Sequence, residues 1–88
     1  MLEDVKRDAL KRLNYIVGHV EGIKRMVESD TYCVDVLKQT HAVRRSFEKL
    51  EGVLLNGHLR TCVPDGISEG RDDELIGELI ELYEVAHR

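Results

Sequence analysis

Apolar residues recur along the first segment at Leu2, Val5, Ala9, Leu13, Ile16, Val20, Ile23 and Val27, with spacings of 3, 4, 4, 3, 4, 3 and 4. That period draws one stripe along a single long helix. Gly18 and Gly22 interrupt it, each at a propensity cost of about 1 kcal/mol. Being four residues apart they share a face, which allows either a close helix approach or simple tolerance. Ser29-Asp30-Thr31 punctuates the chain, and Ser29 or Asp30 is placed to cap a second helix. The second stripe is Val36, Thr40, Val43, Phe47, Leu50 and Leu54, at spacings of 4, 3, 4, 3 and 4. This helix extends to about Cys62, because Val63-Pro64 disfavours continuation. A turn is expected over Pro64-Asp65-Gly66 and Ser68-Glu69-Gly70. Leu75, Ile76, Leu79, Ile80, Leu82, Tyr83 and Ala86 then describe a short third helix with an acidic outer face. No stretch alternates with the period of a strand.

The pattern predicts an all-α chain of three helices, two long and one short, forming a single domain over residues 1–88. Two antiparallel helices leave much of both apolar stripes facing water. Pairing two chains closes an antiparallel four-helix bundle, so an obligate dimer or larger oligomer is expected. Composition sharpens this. The chain has 88 residues, 42% of them apolar and none Trp, too little for a self-sufficient core. Its two cysteines exclude a secreted disulfide scaffold. No run of apolar residues is long enough to span a membrane, and residues 1–7 contain no apolar signal core. A cytoplasmic protein with reduced thiols is expected.

The net charge of −4 is unevenly spread: residues 1–62 carry +2 and residues 63–88 carry −6. The first two thirds therefore permit a cationic surface despite the overall acidity. Basic doublets occur at Lys6-Arg7, Lys11-Arg12, Lys24-Arg25 and Arg44-Arg45, with Lys49 one turn beyond Arg45. On most helices such doublets are a solvated face. In a symmetric oligomer each is repeated, and the copies can line a DNA backbone. Helix-turn-helix, zinc-finger and basic-zipper signatures are absent. So are a Gly-rich phosphate loop, GxSxG and HExxH, which leaves little support for an enzyme beyond a bare Cys62–His58 pair.

Three residues carry distinctive chemistry: Cys33, His58 and Cys62. His58 and Cys62 are four apart, which on a helix puts both on one face with Cβ atoms about 5–6 Å apart. Cys33 precedes His58 by 25 residues, a separation of about 37 Å along one continuous helix. One chain cannot close such a site, but two antiparallel copies can, with Cys33 from one subunit and His58 and Cys62 from the other. Cys33 falls in the first turn of helix two, where the dipole favours a negative ligand atom. Two thiolates and an imidazole form a soft three-ligand set, which suits trigonal Cu(I) better than four-coordinate zinc or an iron–sulfur cluster. The alternative, two small core cysteines and a surface histidine, stands beside it. His19 and His41 are read as surface or interface histidines, and His87 as a frayed-end residue.

Three stretches resemble the CsoR/RcnR/FrmR family of small all-α bacterial repressors: Arg12-Leu13 with Gly18-His19-Val20-Glu21-Gly22-Ile23-Lys24-Arg25-Met26, then Asp30-Thr31-Tyr32-Cys33-Val34-Asp35-Val36-Leu37-Lys38-Gln39, and Leu54-Leu55-Asn56-Gly57-His58-Leu59-Arg60-Thr61-Cys62-Val63. The resemblance implies a homodimer that assembles into a homotetramer, a dimer of dimers, on operator DNA. Inducer binding releases that DNA and turns on export or detoxification genes. The order Cys33, His58, Cys62, with no His in residues 1–10, is that of the copper-sensing branch. It implies one Cu(I) per subunit at an intersubunit site and derepression of copper-resistance genes. Tyr32 and Glu78 match positions that the family links to the metal-binding histidine. Arg12 matches its basic residue on helix one. The copper sensors' basic residue late in helix two is missing here, where Gly52 stands beside Glu51, so Lys11, Arg45 and Lys49 join Arg12 as expected DNA contacts. Two further readings are a persulfide-, thiol- or other-metal-responsive repressor of the same family, and a cytosolic copper-buffering protein.

Overall fold

The computed structural model describes residues 1–88 and is all-helical. Helix α1 spans Glu3–Glu28, α2 Cys33–Arg60, α3 Cys62–Ser68 and α4 Asp72–Ala86. The two long helices and the C-terminal helix stand where the periodicity puts them. The difference lies between them: the expected turn at Pro64-Asp65-Gly66 is a short helix, α3. Proline is tolerated in a first helical turn, because its missing N–H would have no intrahelical partner there.

Helix α2 also ends earlier than expected, at Arg60, and Cys62 opens α3 instead of closing α2. The break is at Thr61, with φ −124° and ψ −69°. Its hydroxyl donates to the Gly57 carbonyl at 2.7 Å, and its backbone N–H donates to the same oxygen at 3.1 Å. A side chain that competes for a helical carbonyl in this way favours a bend or an end.

The link between α1 and α2 is built differently from a side-chain cap. Tyr32 is the N-cap of α2 and makes no side-chain cap bond, so neither Ser29 nor Asp30 caps it. Asp30 instead takes a left-handed φ of 56° just past α1. Its N–H donates to Val27 O at 3.1 Å, and Thr31 N–H donates to Met26 O at 2.9 Å. This pair of bonds is a Schellman motif, which satisfies the last carbonyls of α1 and turns the chain back on itself.

Helices α1 and α2 pack as an antiparallel hairpin around Ala9, Ile16, Val43 and Leu50, with Ile23 and Leu54 against them. Near its open end Val5 meets the buried Gly57, where an added Cβ would lie 2.9 Å and 3.0 Å from the two valine methyls. The seam carries one side-chain hydrogen bond, between His19 and Gln39. Helix α4 approaches only α3 closely, through Leu75 set against Gly66. No helix is long and apolar enough to cross a membrane.

The unit measures 55 × 30 × 14 Å, with a radius of gyration of 17.3 Å. A compact domain of this length has a radius near 12 Å. A thickness of 14 Å is little more than one helix, about 10–12 Å across, so no second layer covers the hairpin. Leu13, Val20 and Val27, all on the α1 stripe, consequently stay exposed, as does Phe47 on α2.

Candidate metal centre and nucleic-acid interface

The two thiols sit at helix starts. Cys33 is the first residue of α2 and Cys62 the first of α3. Both are free and exposed. His58 lies in the last turn of α2 and is half-buried, and its ring has no hydrogen-bond partner within the chain. It lines a groove of about 550 Å³ with Glu48, Glu51, Leu54 and Leu55 of α2 and with Leu82 and Ala86 of α4. Because α2 breaks at Thr61, His58 and Cys62 are not on one unbroken helix. The Thr61 hydroxyl lies 3.7 Å from Cys62 Sγ. Within one chain no three His, Cys, Asp or Glu side chains gather around a position where an ion could be held. The donor chemistry nevertheless fits a soft cation, with two free thiols and an imidazole that no intrachain partner occupies.

Tyr32 is 70% exposed at the N-cap of α2. Glu78 is exposed on α4, one turn before Leu82 and two before Ala86. It therefore shares their side of the helix. No hydrogen bond joins Tyr32, Glu78 and His58 within the chain.

The basic residues are partly drawn together. Lys11 and Arg12 of α1 and Lys49 of α2 line one groove of about 450 Å³, with Asp8, Tyr15 and Ser46. Arg12 Nε donates to Asp8 Oδ1 at 3.0 Å. Arg45, one turn before Lys49, is exposed outside that lining. Sequence reasoning missed the polar contact of the hairpin. His19 Nε2 is 2.7 Å from Gln39 Oε1, so Nε2 carries the proton and donates. His19 Nδ1 is buried without a partner, and Tyr15 packs edge-on against the ring.

The profile of a family described as metal-sensitive transcriptional repressor matches residues 5–84. The chain belongs to this family. Among its relatives, the copper-sensing transcriptional repressor CsoR of Mycobacterium ulcerans is 50% identical over 80 residues, covering 91% of this chain and 68% of that protein. The CsoR of Bacillus subtilis is 40% identical over 78 residues, covering 89% and 77%. The chain spans about two thirds of the length of the mycobacterial relatives it matches. A crystal structure of the copper-sensing repressor CsoR with Cu(I), from Geobacillus thermodenitrificans, superposes with a TM-score of 0.93 at 30% identity, covering 100% of this chain and 92% of that one. The metal-sensitive repressor fold thus accounts for the whole helical chain, α3 included.

Proposed function

We propose that this protein is a copper(I)-responsive transcriptional repressor of the cytoplasm, which binds operator DNA when metal-free and releases it on binding Cu(I), derepressing copper-resistance or efflux genes. The reading rests on one observation above the others: a metal-sensitive repressor chain presents Cys33, His58 and Cys62 as free soft donors. The whole chain acts as one domain, in dimers that pair into tetramers. Cys33 Sγ of one subunit, with Cys62 Sγ and one ring nitrogen of His58 from its partner, would hold one ion per subunit. Bound there, Cu(I) supplies a soft cation that fixes three side chains from two chains relative to one another.

With one ring nitrogen of His58 engaged, the other keeps its proton and donates toward the Glu78 carboxylate or the Tyr32 hydroxyl. That bond would draw α4 toward the last turn of α2, across the groove that Leu82 and Ala86 line. Lys11, Arg12, Arg45 and Lys49 would meet DNA phosphates. Coupling between metal and DNA is reciprocal, so DNA must weaken copper binding by the factor that copper weakens DNA binding.

The test is an anaerobic Cu(I) titration of the reduced protein bound to its own upstream promoter DNA, followed by fluorescence anisotropy. Release near one Cu(I) per subunit, absent in Cys33→Ala, is the expected result. Tight DNA binding indifferent to Cu(I) would overturn copper as the inducer. The exposure of both thiols favours one second reading, in which a two-electron oxidant, a peroxide or a sulfane-sulfur donor, takes the thiols' electrons and protons and links Cys33 and Cys62 between subunits as a disulfide or through added sulfur. His58→Ala separates the two, since it abolishes a copper response and spares a thiol response. A copper buffer with no DNA target is excluded by operator binding of the metal-free protein.

A further inference from the structure

From the contact between α1 and the turn before His58, we infer that Val5 and Gly57 form a positioning contact that carries the state of the metal end of α2 to the basic groove. The inference rests on the proposed function. Gly57 immediately precedes His58 and is one of the few buried residues of the chain. Its missing side chain is what lets α1 seat there, since an alanine Cβ would stand 2.9 Å and 3.0 Å from the Val5 methyls. Valine is stiff about χ1 in a helix, so those methyls cannot swing aside and α1 itself would have to move.

The Gly57 carbonyl is also tied to the other end of the site. It accepts from the Thr61 hydroxyl at 2.7 Å and the Thr61 N–H at 3.1 Å, and the same hydroxyl lies 3.7 Å from Cys62 Sγ. Gly57 is thus bracketed by two proposed ligands, His58 in the next position and Cys62 through Thr61. On the α1 side, Val5 and Asp8 face the same seam as Val53 and Gly57. Asp8 continues into the basic groove, where it holds Arg12 at 3.0 Å. A shift of the His58 turn therefore displaces Val5, and Val5 and Asp8 sit one turn apart on the rigid helix that presents Lys11 and Arg12. Spatial continuity alone does not establish coupling, so the test is a double-mutant cycle.

The full-length protein and its Gly57→Ala, Val5→Ala and doubly substituted variants are compared in three measurements. These are operator affinity with and without Cu(I), Cu(I) affinity by competition with bathocuproine disulfonate, and amide hydrogen exchange over residues 3–12. In the unsubstituted protein Cu(I) should change exchange over residues 3–12. Gly57→Ala should shrink the copper-induced loss of operator affinity by about threefold or more, read at Cu(I) concentrations that the competition titration shows to saturate the variant. Removing the valine methyls in the double variant should restore much of the response. A Gly57→Ala response equal to wild type, a double variant no better than Gly57→Ala, or exchange over residues 3–12 that ignores Cu(I) each overturns the inference and leaves the proposed function standing. If Gly57→Ala does not fold, Val5→Ala alone must still reduce the copper response. A wild-type protein whose DNA binding ignores copper removes the proposed function and the inference together.

Discussion

Arg12 shows what a single residue of this surface can contribute. Its guanidinium pairs with Asp8 one turn earlier, but the two side chains are 39% and 45% exposed. An exposed pair of this kind is worth between about 0 and 1 kcal/mol, so Arg12 can exchange a carboxylate for a phosphate at little cost. Arg12→Ala should weaken operator binding by a similar factor across DNA sequences and reduce the salt dependence of log K by about 1. Cu(I) affinity should not change. Anisotropy titrations at several salt concentrations check this, and an unaltered affinity removes Arg12 from the interface. At this scale the sequence marks candidate donors by their rarity, with only two cysteines in 88 residues, and the fold leaves both thiols free and exposed. The sequence was unreadable where a role depends on register. His19 and Gln39 are 20 positions apart, and only the hairpin turn at Asp30 brings them together.

Among the elements, the long helices were legible because their stripes run for many turns. Helix α3 was not, because Pro, Asp and Gly together are turn chemistry. What makes it helical is tertiary: Gly66 is buried, and Leu75 of α4 closes over it. An alanine there would run into the Leu75 side chain. Overpacking costs about 1–3 kcal/mol, against about 1 kcal/mol gained in helix propensity. Gly66→Ala should therefore destabilise the protein by about 1 kcal/mol in urea denaturation, and the effect of the substitution should shrink when it is made in a Leu75→Ala background. An unchanged or raised midpoint would mean that α4 is not seated through this contact. The early end of α2 has a similarly local cause, in a threonine hydroxyl bonded to a helical carbonyl, which apolar periodicity cannot register.

As a whole molecule the chain is a slab one helix thick, with a net charge of −6 over residues 63–88 and a small surplus of cations, +2, over residues 1–62. Its extended shape leaves it short of the enclosed apolar volume that an independent domain of this length needs. The protein should sediment well above its chain mass of 10.1 kDa at micromolar concentration, and its melting temperature should rise with concentration, as mass action requires when folding and assembly are linked. A monomer with a concentration-independent melting temperature would contradict this. The uncovered apolar stripes were visible in the sequence, since two amphipathic helices cannot cover one another, and Leu13, Val20, Val27 and Phe47 are exposed. What covers them was not, because the stripes say which faces are apolar and not what meets them or at what angle.

The sole hydrogen bond across the hairpin, from His19 to Gln39, bears on how such a slab can switch. Apolar contacts have no preferred direction, so the arms of the hairpin can slip against each other by fractions of an ångström without losing them. One polar pin near the closed end leaves the open end, where Val5 rests on Gly57, as the loose jaw of a clothes peg. A ligand gripping that end needs to overcome no polar bond between the arms, and a small difference in its affinity for two jaw positions is enough to choose between them.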